Sequence, residues 1–131
     1  MHILQPPHWA PPKGYANGIA ARGTTVFVGG QIGWNSQQQF ESDDFVTQAK
    51  TALRNVLAIL AEAGAGPEHI TRMTWYVTDK REYVASYRAL GAAYREVIGR
   101  HFPAMTAVQV MALIEDRAKV EIEATAMVPD A

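Results

Sequence analysis

Residues 102–108 read FPAMTAV, and residues 120–126 read VEIEATA. In the second stretch valine, isoleucine and alanine alternate with glutamate and threonine. The apolar side chains therefore share one face of a strand, and Glu121 lies on the other face. We predict strands over residues 105–112 and 118–128, joined by a polar turn into a closing hairpin. The apolar face of the last strand should pack against helices.

Two stretches upstream carry apolar residues at helical spacing. The first predicts a helix from about Asp44 to Ala63, because acidic and serine residues offer N-caps before it and glycines follow it. The second predicts a helix from Arg81 to about Gly99, with Asp79 as its N-cap. Each helix is amphipathic and should bury one face.

The remaining segments complete the order of elements. Residues 70–77 alternate as a strand with two unlike faces. Residues 19–22 and 25–28 predict a first hairpin around a glycine turn. The proline-rich residues 5–14 should form a surface arm. Together these elements predict one domain over residues 1–131. Its fold is an α+β sandwich of the order β-β-α-β-α-β-β, with both helices on one face of a mixed sheet.

Composition limits the classes of function. The chain has 131 residues, a formal net charge of -1 and no cysteine. Nucleic acid is a poor partner because no cluster of lysine or arginine could neutralise a phosphate backbone. Disulfides and thiolate chemistry are excluded. Neither a signal peptide nor a membrane span is expected, so a cytoplasmic location is the default.

Three short segments carry a family resemblance: Gly14-Tyr15, Val28-Gly29-Gly30-Gln31-Ile32 and the closing pair of strands. Their order and spacing resemble those of the RidA (YjgF) family of reactive-intermediate deaminases, also described as L-PSP endoribonucleases. The resemblance implies a chorismate-mutase-like fold and a homotrimer with small-molecule pockets at subunit interfaces. It also implies hydrolysis of reactive enamines or imines to 2-oxo acids and ammonia, with no metal and no organic cofactor.

The same resemblance assigns candidate roles to residues. Glu121 matches the glutamate that directs the attacking water, and Tyr15 matches a tyrosine of the pocket wall. Met105 stands at the position of an arginine that binds the substrate carboxylate, and Ala107 stands where many members have cysteine. Trp34 follows the glycine segment and is a candidate for stacking on a ligand. The expected binding residues are Tyr15, Gly30, Gln31, Trp34, Met105, Thr106 and Ala107.

Met105 is compatible with the expected fold but argues against the expected deamination of 2-imino acids. A thioether has neither a charge nor a hydrogen-bond donor, whereas arginine offers a planar pair of donors to a carboxylate. Deamination of ordinary 2-imino acids should therefore be weak or absent. A replacement anchor remains open, with Arg88, Arg100 and His101 as candidates, although each is more often a solvated surface charge.

Two classes of function stay open. The chain is either a divergent hydrolase of an imine, enamine or similar small molecule, or a non-catalytic trimeric module that binds a metabolite or a protein. The four histidines lack the spacing of a metal site. The segment Gly29-Gly30-Gln31-Ile32-Gly33 does not match a phosphate loop and is better explained as a strand end and pocket wall. Nuclease activity is disfavoured by the charge.

Overall fold

A computed structural model describes residues 1–130. Within these 130 residues, six strands and three helices follow one another. Their bounds are β1 His2–Leu4, β2 Gly18–Ala20, β3 Thr24–Ile32, α1 Phe45–Glu62, β4 Ile70–Val77, α2 Lys80–Ala85, α3 Tyr87–Val97, β5 Ala104–Gln109 and β6 Val120–Val128, with a short 3₁₀ turn at Pro67–His69 before β4.

Four strands form a mixed sheet in the order β3-β6-β4-β5. Strand β6 lies between β3 and β4 and is antiparallel to both, while β5 runs parallel to β4 at one edge. The predicted α+β architecture with a mixed sheet is confirmed. The pairing of β3 with β6 is interrupted between Val28 and Gln31, where Gly29 and Gly30 form a bulge.

Both predicted hairpins are wrong. Strand β2 pairs with β1, which was not predicted, and β3 pairs with β6. Strand β5 pairs with β4 and makes no ladder with β6, although the two are consecutive in the chain. Periodicity predicts that a segment is a strand, but it does not identify the segment's partner. A parallel β4–β5 pair requires a crossover connection, and α2 and α3 supply it.

Helix α1 begins and ends close to the predicted bounds. The Asp44 carboxylate accepts hydrogen bonds from the backbone N–H of Thr47 at 2.9 Å and from the Thr47 hydroxyl at 2.8 Å. The helix buries a stripe of apolar residues against the sheet, with Ala49, Leu53 and Val56 among them. One face of α1 therefore covers the apolar face of β6.

The second predicted helix is two helices that meet at Ser86. Asp79 is the N-cap of α2, as expected, and its carboxylate accepts from the backbone N–H groups of Arg81 and Glu82. The backbone N–H of Ser86 donates to the carbonyls of Glu82 and Tyr83, which closes α2. Ser86 has φ -100° and ψ 7°, outside the α-helical range, so α3 starts as a separate helix.

Gln48 fixes α1 to the segment that leads into β6. It is 1% exposed, and its amide group donates to the carbonyls of Ser42 and Arg117 and accepts from the N–H of Lys119, all within 3.0 Å. Gly33 lies against the backbone of Gln48, where a Cβ would approach to 2.6 Å. In residues 1–130, none of the helices has the length and apolar character needed to cross a membrane.

Candidate functional site

A cavity of about 780 Å³ lies between the α2–α3 segment and strands β4 and β5. We refer to it as the aromatic cavity, because six of its lining residues are aromatic. Its lining consists of Lys13, Gly14, Tyr15, Trp75, Tyr83, Tyr87, Leu90, Gly91, Tyr94, Arg95, Phe102, Met105 and Ala107. Three of the predicted binding residues, Tyr15, Met105 and Ala107, therefore lie together.

Tyr15 reaches the cavity because the N-terminal segment is held against the start of β5. The N–H of Ala16 donates to the carbonyl of Pro103 at 2.9 Å, and Ala16 forms an isolated parallel bridge with Ala104. Gly14, with φ 78°, adopts the left-handed conformation just before Tyr15. This turn and bridge make Lys13, Gly14 and Tyr15 one wall of the cavity.

The parallel register between β4 and β5 decides which side chains of β5 face the cavity. Met105 is level with Met73, and Ala107 is level with Trp75. Because paired residues of neighbouring strands point to the same face, Met105 and Ala107 lie on the helix-covered face of the sheet. Thr106, between them, points to the opposite face and does not line the aromatic cavity.

Aromatic side chains of α2 and α3 form the outer wall. Tyr83 makes edge contacts with Trp75 and Tyr87, at ring-centroid distances of 6.3 and 5.4 Å. Burial raises the pKa of the Tyr83 hydroxyl, and the neighbouring Tyr87 raises it further. Tyr94 stacks on Phe102 with centroids 5.7 Å apart. These rings offer flat apolar surface to a planar ligand.

Within residues 1–130, the hydroxyl of Tyr94 has a hydrogen-bond partner, whereas the indole N–H of Trp75 has none. The Tyr94 hydroxyl donates to the carbonyl of His101 at 2.6 Å, and burial raises its pKa, so it is a structural donor. The indole N–H of Trp75, a residue that is 4% exposed, has no hydrogen-bond partner within residues 1–130. A buried donor without a partner costs about 1–3 kcal/mol.

The only charged residues that line the cavity within residues 1–130 are cationic. Lys13 lies in the N-terminal wall, and Arg95 extends from α3. Arg95 Nη1 lies 3.7 Å from the position that a Cβ of Gly91 would occupy, so the guanidinium lies over that glycine. Among the described residues, 1–130, the lining has neither a carboxylate nor a histidine. Its electrostatic character therefore favours an anion.

Glu121 and Gly30 lie on the uncovered face of the sheet, opposite the helices. Glu121 is paired with Tyr76 across β6 and β4. A Cβ on Gly30 would overlap the Glu121 carboxylate, so this glycine leaves room for that side chain. The Tyr76 hydroxyl donates to Glu123 at 2.6 Å, and this bond raises the pKa of Tyr76. One copy of the chain therefore separates Glu121 from Met105 by the thickness of the sheet.

The side chains of Gln31 and Trp34 make their contacts outside the aromatic cavity. The Gln31 amide donates to the carbonyl of Gly29 at 3.2 Å. Trp34 contacts Phe40 with ring centroids 5.9 Å apart, and its carbonyl accepts from Asn55 at 2.9 Å. Neither side chain lines the aromatic cavity.

The residues considered as replacement anchors are not in the lining. His101 Nε2 donates to the carbonyl of Ile70 at 2.6 Å, which gives this ring a structural role. Arg88 and Arg100 are exposed outside the cavity. Lys13 and Arg95 were missed by sequence reasoning. The sequence does contain a signal for Arg95. Because Tyr87, Gly91 and Arg95 are spaced four residues apart, they lie on one face of α3.

Potential metal ligands are scattered in the described part of the chain. Within residues 1–130, histidine and carboxylate side chains do not form a group of three or more that could hold one. The candidate site therefore consists of aromatic, apolar and cationic groups around the cavity, with Glu121 on the other face of the sheet.

Comparison with known proteins identifies the family. The sequence pattern of the family described as "Endoribonuclease L-PSP" matches residues 7–128. The chain belongs to the RidA (YjgF) family. A RidA-family relative in Escherichia coli K12, described as "Putative reactive intermediate deaminase TdcF", is 33% identical over 116 residues, which cover 86% of this chain and 85% of TdcF. The human protein "2-iminobutanoate/2-iminopropanoate deaminase" is 32% identical over 104 residues, covering 79% of this chain and 72% of its own.

Solved structures of RidA-family proteins share the fold. The Rid-family protein YyfB from Yersinia pestis, whose function is described as unknown, superposes with a TM-score of 0.84 at 27% identity, covering 97% of this chain and 98% of YyfB. TdcF from E. coli, solved with bound serine, gives a TM-score of 0.69 at 30% identity, with 98% and 99% covered. The expected RidA-like fold is confirmed.

Proposed function

We propose that this RidA-family protein is a divergent hydrolase that converts an imine, enamine or related small molecule to a carbonyl compound and ammonia. Glu121 directs the attacking water, and the aromatic cavity holds the body of the substrate. The observation that carries the proposal is the retention of Glu121, with Gly30 leaving space for its carboxylate. Relatives named as deaminases give the reaction class.

We further propose that a complete site is formed between two copies of the chain in a cytoplasmic homotrimer. Tyr15, Met105 and Ala107 line the helix-side cavity, whereas Glu121 and Gly30 lie on the uncovered face. No group of the cavity lining in residues 1–130 could exchange protons as a carboxylate does. A neighbouring copy that places its uncovered face near the cavity mouth would supply the missing acid or base.

Met105 limits the range of substrates in this proposal. It packs partly buried beside the core, where it offers no charge to a carboxylate next to the reacting carbon. Small 2-imino acids, whose carboxylate is bonded directly to that carbon, should therefore be poor substrates. Gly30, Gln31, Trp34 and Thr106, which do not line the cavity of one copy, remain candidate contacts across the interface.

The test of catalysis is ammonia release from freshly generated imines with varied side chains, measured for wild type and for Glu121→Gln. We expect kcat/KM to fall about a hundredfold or more, a typical loss for a general acid or base. Glu123→Gln is the matched control, because Glu123 is on the same strand face and hydrogen bonds to Tyr76. Equal rates for wild type and Glu121→Gln would contradict a catalytic role.

The shared site is tested by mixing two inactive variants. Glu121→Gln retains the cavity, whereas Ala107→Trp fills it and retains Glu121. Random assortment into trimers would restore about one quarter of the sites, because each site would take its cavity and its carboxylate from different copies. If mixed and refolded samples stay inactive while both variants remain trimeric, the shared site is wrong.

The second candidate function is non-catalytic binding of a metabolite or a protein. It is favoured by Met105 and by the absence of a carboxylate from the cavity lining within residues 1–130. Calorimetric binding of a small molecule combined with ammonia release at the uncatalysed rate for every imine tested would select this candidate over the hydrolase.

A further inference from the structure

In the part of the chain that the structure describes, the aromatic cavity combines flat apolar walls with two cations and no acid. Four of its rings, those of Trp75, Tyr83, Tyr87 and Tyr94, line one continuous region from β4 to α3. Lys13 and Arg95 are the charged lining residues within residues 1–130. A neutral apolar ligand would leave this charge unused, and a small hydrophilic anion would leave the rings unused.

The charge of Arg95 is not neutralised by a neighbouring carboxylate. The next residue, Glu96, forms an ion pair with Lys50 of α1 and lies 3.8 Å from Arg54, and its contact with Lys50 lowers the pKa of Glu96. Arg95 forms no ion pair within residues 1–130, and its guanidinium lies over Gly91, one of the cavity residues. The fork of donors is therefore available at the cavity.

Gly91 has a defined part in this arrangement. It is one helical turn before Arg95, and it lines the cavity itself. A Cβ at residue 91 would lie 3.7 Å from Arg95 Nη1, which is ordinary van der Waals distance, so the guanidinium packs close to this glycine. Arg95 therefore approaches the cavity along the surface of α3 at Gly91.

We propose that the aromatic cavity binds an organic acid with an aromatic body, and that Arg95 and Lys13 bind its carboxylate. This inference rests on the proposed function in one respect, because it names the substrate class for the same cavity. The rings hold the aromatic body by stacking and by burial of apolar surface. The carboxylate is bound from α3 and the N-terminal wall, whereas Met105 contacts the apolar part of the ligand.

The test is calorimetric titration of the full chain with three probes. Phenylpyruvate has both the ring and the carboxylate, pyruvate has only the carboxylate, and phenylacetone has only the ring. We expect phenylpyruvate to bind at least about tenfold more tightly than either of the others, because each lacks one of the two recognised groups. Equal affinity for phenylpyruvate and either simpler probe would overturn the inference, and so would no binding of phenylpyruvate at millimolar concentration.

Variants identify the residues that bind the carboxylate. Arg95→Met should weaken phenylpyruvate about tenfold and Lys13→Met about threefold, the modest sizes expected for exposed cations. Arg88→Met is the matched control on the same helix, since Arg88 is exposed and does not line the cavity. Phenylacetone should bind all variants equally. An unchanged affinity of Arg95→Met for phenylpyruvate would overturn the role of Arg95.

The two proposals fail in different ways. Loss of discrimination among the probes would remove this inference but leave ammonia release and its dependence on Glu121 unaffected. The opposite result is also possible: phenylpyruvate binds tightly and depends on Arg95, but wild type and Glu121→Gln release ammonia at equal rates. That result would support the binding specificity and contradict the catalytic proposal.

Discussion

At the scale of single residues, Met105 carries the proposed restriction on substrates. Its position is equivalent in register to Met73, and it faces the aromatic cavity. A guanidinium at this point could reach a ligand in the cavity, whereas the thioether contributes only apolar contact. The cations Lys13 and Arg95 enter the same cavity from other elements.

Met105→Arg should raise the rate of deamination of 2-iminopropanoate. A charge-assisted hydrogen bond between the new arginine and the substrate carboxylate should increase kcat/KM by about tenfold or more. The thermal midpoint should fall, because Met105 is partly buried against the core. Ammonia release from freshly generated 2-iminopropanoate measures the rate. Val84→Arg, on an exposed part of α2 that does not line the cavity, is the control for added charge and should give no increase. A folded Met105→Arg protein without a gain in rate would contradict the expected effect.

Gly30→Ala should reduce activity without unfolding the protein. A methyl group at residue 30 would overlap the Glu121 carboxylate, which is the flexible end of its side chain and can move away. We expect ammonia release to fall toward that of Glu121→Gln, with a small change in thermal midpoint. Gly29→Ala is a matched control, because a Cβ at residue 29 meets nothing within 4 Å. Equal activity of the two alanine variants would argue against a role for the Glu121 position.

At the scale of elements, capping and register position the site. Asp44 and Asp79 fix the starts of α1 and α2 through carboxylates that accept backbone N–H groups. The parallel register of β5 on β4 then decides that Met105 and Ala107 face the cavity and that Thr106 does not. A shift of one residue would reverse the two faces of β5.

Asp44→Ala should lower the free energy of unfolding by about 1 kcal/mol at neutral pH, the usual value of an N-cap. The backbone hydrogen bond from Thr47 lowers the pKa of Asp44 below its ordinary value of 3.8. A depressed pKa means that the contribution is present above this ordinary value and is lost as pH falls through the folded-state pKa. Urea unfolding at several pH values should therefore show wild type and Asp44→Ala converging in acid.

Asp43→Ala is the comparison for this measurement. Its carboxylate forms an exposed ion pair with Arg117 at 2.9 Å and does not cap the helix. Such a pair contributes about 0–1 kcal/mol and weakens with salt. A constant difference between wild type and Asp44→Ala across the acid range would show that the cap does not depend on the charge of Asp44.

At the scale of the whole molecule, the sheet has one face covered by helices and one face uncovered. Phe27, on the uncovered face, is 78% exposed in a single chain. A smaller cavity of about 300 Å³ lies beside it, lined in part by Arg72 and Glu123. Exposed apolar surface of this kind is typical of an interface with another protein chain.

Phe27→Glu should dissociate the proposed trimer, because burying a charged carboxylate between subunits in place of a phenyl ring costs several kcal/mol of desolvation. Sedimentation velocity should show a change from three times the 14.4 kDa chain to a single chain. Val84→Glu is the control: Val84 is 52% exposed, but it lies on α2, away from the uncovered face. A Phe27→Glu protein that stays trimeric would place the interface elsewhere.

Features set by neighbouring residues could be predicted from the sequence, whereas features set by residues far apart in the chain could not. The helix ending at Glu62 and the strand Ile70–Val77 follow from periodicity and capping within one segment, and both were predicted closely. Strand partners depend on residues far apart in the chain, so both hairpins were assigned wrongly. The opposite placement of Met105 and Glu121 follows from the registers of β5 and β6 on β4, which no local pattern specifies.

Binding of a ligand to the N-terminal wall of the aromatic cavity should order the N-terminal segment of the chain. Lys13 and Tyr15 are held by the contact of Ala16 with Pro103 and by a pair of three-residue strands whose residues are mostly exposed. Short, solvated pairs of this kind open more readily than the central sheet. A ligand that contacts Lys13 would suppress this opening, and part of its binding energy would be spent on the lost conformational entropy. Amide hydrogen exchange at Ala16 would then become slower when the cavity is filled, while exchange in β6 would stay unchanged.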